Sequence, residues 1–309
     1  MDAETFLLCL SEGLEPWEAV AARARLSVDR ARLFARALGE AGYPVLLEES
    51  GVGLAPDSLA PQHVLPRLKG RFGRPYRYLG TVTSTQDVLR AWHEAPEGAL
   101  VVAEHQTRGR GRLGRPWLSS PGNLCFSLLL RRPQPPLLPL RVGVALAQAA
   151  GFGLLKWPND LLSPDGRKLG GILIECEGGR TFVGVGVNVV QAPLPTAAAL
   201  KEFRAVNRVD LLVAFLALLE EWLAQPPSAV LQAWQKWDGT LGREVRVHTP
   251  TGMVEGVAEA ISQEGALLVR TNAGRKSVRV GEVVLPPPPN VVEAQEGQGQ
   301  AQGRGASEG

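Results

Sequence analysis

Hydrophobic positions recur at helical spacing over the first 42 residues and then change to short apolar or alternating runs, so the chain opens with helices and continues with strands. Phe6, Leu7 and Leu10 predict a first helix that ends at Gly13. Trp17, Val20 and Ala21 predict a second that starts near Pro16. The run SVDRARLFARALGEAG predicts a third, N-capped by Ser27 and stopped at Gly42. Residues 43–54 then read as two short strands around a Ser50-Gly51 turn. Three helices and a small hairpin are the layout of a winged helix-turn-helix, and equally of a small helical interaction module.

Pro56, Pro61 and Pro66 punctuate a linker that holds a short amphipathic piece around His63–Leu68. Strands are predicted at Ala99–Glu104, Leu124–Leu130, Gly153–Trp157, Gly170–Glu175 and Thr181–Asn188, and helices at Thr85–His93, Leu140–Ala150, Asn207–Ala224 and Ser228–Trp237. Several of these strands adjoin with no helix between them, which argues for a mixed or antiparallel sheet and an α+β class rather than a doubly wound fold. Beyond Gly242 the pattern becomes Glu244–His248, Met253–Ala260, Ala266–Arg270 and Ser277–Val283, short strands of a small barrel. The expected domains are therefore 1–66, 67–240 and 241–285. Residues 286–309, opening on Pro286 to Pro289 and rich in Gln, Gly and Glu, are expected to be a disordered tail.

Composition adds exclusions. With 45% hydrophobic and 21% charged residues, the 309-residue chain is neither wholly disordered nor fibrous. No apolar run reaches the roughly 18 residues of a membrane span. Two acids and no basic residue precede the first short apolar run, the wrong sign for a signal peptide, so a cytoplasmic protein with no membrane partner is expected. Cys9, Cys125 and Cys176 lie far apart and make neither a disulfide framework nor a zinc site. The net charge of +2 conceals an asymmetry. Residues 1–66 carry five Arg against ten acids, and residues 67–132 carry twelve Lys or Arg against four. An anionic ligand is expected at that second segment.

Its centre is Glu104-His-Gln-Thr-Arg-Gly-Arg-Gly-Arg-Leu-Gly-Arg-Pro-Trp117. Gly109, Gly111 and Gly114 let backbone approach a ligand, while Arg108, Arg110, Arg112 and Arg115 bring forked donors suited to carboxylate and phosphate oxygens. The three glycines also satisfy G-x-G-x-x-G. However, Pro116 and the turn at residues 119–122 follow where a helix should start, and no acid lies about 20 residues on, so the dinucleotide reading fails. A solvated basic loop is the plainer alternative. Further on, Leu155-Lys-Trp-Pro-Asn-Asp-Leu161, Lys168-Leu-Gly-Gly-Ile-Leu-Ile-Glu175 and Gly184-Val-Gly-Val-Asn188 each read singly as a turn with a core strand. Together they put Lys156, Asp160 and Lys168 at the tips of apolar strands, where charges line clefts more often than cores.

GRGRLGRPW, KWPND, KLGGILIE and GVGVN, in this order and spacing, resemble the biotin protein ligases, over residues 1 to about 285, and the N-terminal module resembles that of the bifunctional ligase and biotin operon repressor subclass. The resemblance implies a central mixed sheet with helices, class II synthetase-like, followed by a small SH3-like barrel. It implies ATP-dependent, Mg2+-assisted conversion of biotin to biotinyl-5′-AMP, and transfer to a lysine of a biotin carboxyl carrier protein. The partners it implies are that carrier domain and, in some members, a second copy of the chain. By the same resemblance Ser84, Thr85, Gln86, Gln106, Arg110, Gly111, Arg112, Trp117 and Lys168 bind biotin or its adenylate, with Gln86 standing where the family has Asn. Arg115, Lys156 and Asn188 face nucleotide or phosphate. Lys168, Arg112 and Asp160 carry the chemistry, and Asp160 is the Mg2+ ligand. Ser84 or Thr83 has a second, local use as cap of the helix at Thr85. The complete Arg-Gly loop and KWPND favour biotin over lipoate. An alternative function is a DNA-binding repressor with biotinyl-5′-AMP as corepressor, for which the third helix offers Arg30, Arg32 and Arg36. The acidic turn Glu48-Glu49 and the module's charge argue against strong DNA binding.

Overall fold

The computed structural model describes residues 3–131 and 134–285. The expected tail, 286–309, lies outside the described residues. Among the described residues two compact units separate, one reaching to Gly239 and including Gln263–Gly265, the other made of Thr240–Ser262 and residues 266–285.

The first unit begins with α1 (Ala3–Leu7), β1 (Glu15–Pro16), α2 (Trp17–Ala24), α3 (Val28–Glu40), β2 (Val45–Leu47) and β3 (Gly51–Leu54), the strands forming a small antiparallel sheet in the order β1-β3-β2. Ser27 caps α3 as expected, its hydroxyl accepting from the Arg30 N–H. α1 is shorter than its apolar spacing predicts, because the chain turns after Leu7 and Leu10 is buried from a turn. The expected linker is packed: Ser58, Leu59 and Ala60 are fully buried, and Pro61 starts α4 (Pro61–Val64) instead of opening the chain. The segment sits directly on the next strand. Tyr76 donates to the Leu59 carbonyl at 2.6 Å and Thr81 N–H to Ala41 at 2.8 Å, and a Cβ on Gly42, at φ +88°, would fall 2.2 Å from Thr81 Oγ1.

β4 (Tyr76–Val82), α5 (Thr85–Ala91), β5 (Leu100–Gln106), the two-residue strands β6 (Gly109–Arg110) and β7 (Pro116–Trp117), β8 (Leu124–Leu130), α6 (Leu138–Ala150), β9 (Leu154–Lys156), β10 (Asp160–Leu162), β11 (Lys168–Glu177), β12 (Arg180–Val187), α7 (Arg208–Ala224) and α8 (Pro227–Lys236) follow. Seven strands make one sheet, ordered β4-β5-β8-β12-β11-β10-β9, in which only β4 and β5 run parallel. The mixed sheet expected from adjoining strands is therefore present. β4 and β10 escape the apolar-run criterion: Arg77 and Gly80 interrupt the first, and the second is three residues long. Along β8, Phe126 meets Phe215 of α7 edge to face at 5.1 Å, while Leu129 joins Leu89 and Phe182 in a core beneath α5. Alternation along the strand thus places helices on both faces of the sheet.

The second unit is an antiparallel sheet of β13 (Glu244–Thr249), β14 (Gly252–Ile261), β15 (Leu267–Thr271), β16 (Gly274–Val278) and β17 (Glu282–Val284), ordered β16-β15-β14-β13-β17. Val245, Val247, Ala258, Leu267, Val269, Val278 and Val283 form its core. The predicted last strand, Ser277–Val283, is two strands: the ladder of β16 stops at Val278 and that of β17 starts at Glu282. Among the described residues no helix is long and apolar enough to cross a membrane.

Candidate active site

α5 begins where β4 ends, and its first turn aims inward. Ser84 is the N-cap residue by backbone geometry, yet its hydroxyl makes no capping bond; it is 2% exposed and faces a cavity. The local capping use proposed from sequence is thus not taken up. Thr85 N–H donates to Gln106 Oε1 at 2.8 Å, and its hydroxyl lies 2.8 Å from that of Ser127. Gln86, longer than the family's Asn, reaches across the sheet and donates to the carbonyls of Phe182 and Leu173 at 3.3 and 3.4 Å.

The Arg-Gly segment is a small hairpin. β6 and β7 pair through Gly109↔Trp117, and a single 3-10 turn at Arg112–Gly114 joins them, with Leu113 at φ +57°. No helix follows the glycines, in keeping with the failed dinucleotide reading. Trp117 closes the hairpin over the sheet: a Cβ on Gly186 would come 2.4 Å from its indole, and one on Gly171 would come 3.3 Å from it. These strand glycines exist to seat the ring. Arg110 is held by Asp87 at 2.6 Å and Glu175 at 3.5 Å, and Arg112 donates to Asn159 Oδ1 at 3.1 Å. Asn159 is fixed in turn by donating to the Ile172 carbonyl at 2.9 Å.

Between hairpin, α5 and sheet lies a cavity of about 250 Å³ whose wall includes Ser84, Thr85, Gln86, Gln106, Arg110, Gly111, Arg112, Arg115, Trp117 and Lys168. Those residues lie as far apart in sequence as Ser84 and Lys168, and the fold brings them together. Asn159, Leu173 and Gly184 also line it, each from a quoted motif but with no role assigned, and so do Ser127 and Leu194, which stand in none of those motifs. Asn159 was legible as the amide of KWPND; Leu194, on an irregular loop, carried no signal.

Lys156, Asp160 and Asn188 lie behind the wall. β10 pairs with β9 and β11, so Asp160 stands beside Lys156 and Gly171, and its carboxylate bridges two ammonium groups, Oδ1 to Lys168 at 2.6 Å and Oδ2 to Lys156 at 3.0 Å. Burial pushes the Asp160 carboxyl up, but Lys168 and then Lys156 outweigh it and hold the group below the ordinary aspartate value. Both oxygens are therefore occupied by cations. Among the described residues no three His, Cys, Asp or Glu side chains cluster around a common point. In this structure Asp160 is therefore an ion-pair bridge between Lys168 and Lys156. Asn188 is 2% exposed, with its amide engaged to Asn123 at 3.3 Å and to the Lys168 carbonyl at 3.1 Å. It supports Lys168 from behind rather than forming wall.

Residues 79–191, which hold every predicted site residue, match the Biotin/lipoate A/B protein ligase family, and residues 240–285 match the Biotin protein ligase C terminal domain. Fold and site together define an enzyme of the ligase class. The bifunctional ligase/repressor BirA of Bacillus subtilis (strain 168) is 33% identical over 243 residues, 69% of this chain and 74% of that protein. The biotin–[acetyl-CoA-carboxylase] ligase of Paracoccus denitrificans is 32% identical over 60% of this chain and 89% of that one. Among solved structures, biotin protein ligase from Aquifex aeolicus in complex with biotin and ATP superimposes with a TM-score of 0.62 at 32% identity, over 68% of this chain and 98% of that one. The chain belongs to the biotin protein ligase family.

Proposed function

We propose that the protein joins biotin to ATP and passes the biotinyl group to a lysine of a biotin carboxyl carrier protein. A biotin carboxylate oxygen attacks the α-phosphorus and pyrophosphate leaves. The carrier's lysine amine then attacks the acyl carbon of the biotinyl-5′-adenylate and AMP leaves. The observation that carries this reading is the shared cavity, which gathers Ser84, Gln106, Trp117, Arg112 and Lys168 around a space of about 250 Å³. The relative from Aquifex aeolicus, whose structure holds biotin and ATP, supports it.

Physically the first step brings a carboxylate against a polyphosphate, so like charges must be neutralised and aligned. Arg112, Arg115 and Lys168 on the wall supply positive charge on the side where the two meet, and Asp160 fixes Lys168. The mixed anhydride formed is sensitive to water, and the hairpin with Trp117 covers it. Mg2+ belongs to this reading with the nucleotide; among the described residues no three carboxylate, His or Cys side chains cluster to cage it. Domains 1–66 as a winged helix and 241–285 as an SH3-like module complete the proposal.

Mixing protein, biotin, ATP and Mg2+ and assaying pyrophosphate, then label on a carrier domain, tests it; no adenylate under these conditions sinks the assignment. Arg112→Ala and Lys168→Ala are expected to keep the fold and lose at least about tenfold in pyrophosphate release, since each removes a charge facing the transition state. A second reading, repression of transcription, is favoured by Arg30, Arg32 and Arg36, all exposed along α3, and by the Bacillus subtilis relative's description as a repressor. Exposed Glu48 and Glu49 in the hairpin turn oppose it. Operator DNA retarded at low salt in the presence of the adenylate, and released as salt rises, would support it.

A further inference from the structure

We propose that Asn123 is a positioning residue of the ligation site, acting through Asn188 on Lys168; the inference rests on the ligase reading above. Asn123 precedes β8, is 2% exposed and does not line the cavity. Its Oδ1 accepts from three consecutive N–H groups, Val189, Val190 and Gln191, at 3.0, 3.1 and 3.3 Å. Its Nδ2 donates to the Gln191 carbonyl at 2.9 Å and to Asn188 Oδ1 at 3.3 Å. Three backbone donors require an acceptor, so the orientation of this amide is forced by its surroundings.

That orientation propagates. Because Asn123 presents an N–H to Asn188, the Asn188 oxygen turns towards it and the Asn188 Nδ2 donates to the Lys168 carbonyl at 3.1 Å. The same carbonyl accepts from Ala198 N–H at 2.9 Å, and Lys168 N–H donates to Thr196 at 3.0 Å. Lys168 is thus pinned along its backbone from two sides, with its ammonium on Asp160 at 2.6 Å. An aspartate at 123 would keep the acceptor for the three N–H groups but offer no donor. Asn188 would then have to reverse its amide and turn an oxygen against the Lys168 carbonyl oxygen. The three N–H groups keep their acceptor, the turn loses its bond to the Gln191 carbonyl, and Lys168 loses the Asn188 side of its bracket; Asn188→Ser, which leaves the Asn123 turn bonds intact, is the cleaner variant.

Asn123→Asp separates this role from a purely structural one. The full-length protein is titrated calorimetrically with biotin and with biotin methyl ester, which lacks the charge that Lys168 would meet. Wild type is expected to prefer biotin, and N123D to shrink that preference about fivefold, the worth of one hydrogen bond, while its ester affinity stays within about twofold. Asn188→Ser removes the same link from the other side and should shrink the preference alike, with the double variant no worse than either single one. An undiminished preference in N123D overturns the inference, and so does a parallel loss for both compounds, which would make Asn123 only a fold residue. If N123D does not fold, N188S decides by the same criterion. A wild type that binds both compounds equally removes the charge role of Lys168 from the ligase reading. One that binds neither overturns that reading and this inference with it.

Discussion

Trp117 rests on backbone because two strand positions carry no side chain. At Gly186 a single methyl group would overlap the indole, with contacts of 2.4–2.7 Å to three of its atoms. Gly186→Ala is expected to cost about 1–3 kcal/mol in urea unfolding, the usual penalty for overpacking. It should also weaken biotin binding about tenfold by tilting the ring into the cavity, measured by calorimetry. Asp160 makes a prediction in pH. Its carboxyl is held below the ordinary value of 3.8 by Lys168 and Lys156 against the opposing effect of burial. A depressed carboxyl stabilises the fold at pH above the unfolded value and loses that contribution as pH falls through the folded one. Asp160→Asn should therefore be less stable than wild type by a gap constant near neutrality, about 1–3 kcal/mol for a carboxylate taken from two partly buried lysines. The gap should close only at pH below 3.8, as followed by denaturant midpoints.

At the scale of elements, the hairpin of β6 and β7 is tied down by side chains that lie outside it. Asp87 on α5 and Glu175 on β11 hold Arg110, and both also pair with Arg90, which reaches Glu177 as well. These groups are about one-third exposed, so the clasp adds under about 1 kcal/mol to global stability. Its effect is local. Asp87→Asn is expected to leave the unfolding midpoint nearly unchanged while raising the escape of biotinyl-5′-adenylate into solution about two- to fivefold, in assays without carrier domain, because lowering the cost of opening by up to about 1 kcal/mol raises the rate by that factor. An unchanged escape rate would show that the hairpin is held by Trp117 alone.

On the scale of the whole molecule, the N-terminal module is joined to the sheet by a buried charge network. Arg208 at the start of α7 is 3% exposed and pairs with Glu104 of β5 at 2.6 Å and with Asp57 at 2.8 Å, and the Tyr78 hydroxyl donates to the same glutamate. Burial and then Glu104 push the Tyr78 hydroxyl well above its usual value, so it stays protonated as a donor. Glu104→Gln would leave Arg208 without its closest counter-charge and is expected to cost about 3–5 kcal/mol in global unfolding. A loss below about 1 kcal/mol would show that the network is solvated in solution.

Local pattern alone determined much of this protein. The apolar spacing of 3.6, with the cap at Ser27, placed α3 and α7 to within about two residues, because a helix satisfies its backbone with near neighbours; that Asn207 is itself a cap only the structure showed. Leu124–Leu130 was legible as a strand because it is buried along its whole length. Of the cavity's wall, the Arg-Gly loop and Lys168 were legible as groups that approach an anion, while Ser84, Thr85, Gln86, Gln106 and Trp117 were implied only by the family resemblance. Tertiary structure decided the rest. Only strand pairing, β10 with β9 and with β11, set Asp160 between two lysines. The linker punctuated by prolines, with its amphipathic piece at His63–Leu68, is packed rather than loose in the fold, because Leu59, Ala60 and Val64 found apolar partners that no local window contains. Asn123 shows the same limit most plainly: an amide in a turn has no chemistry of its own, and its importance comes wholly from the backbone that folding brings against it.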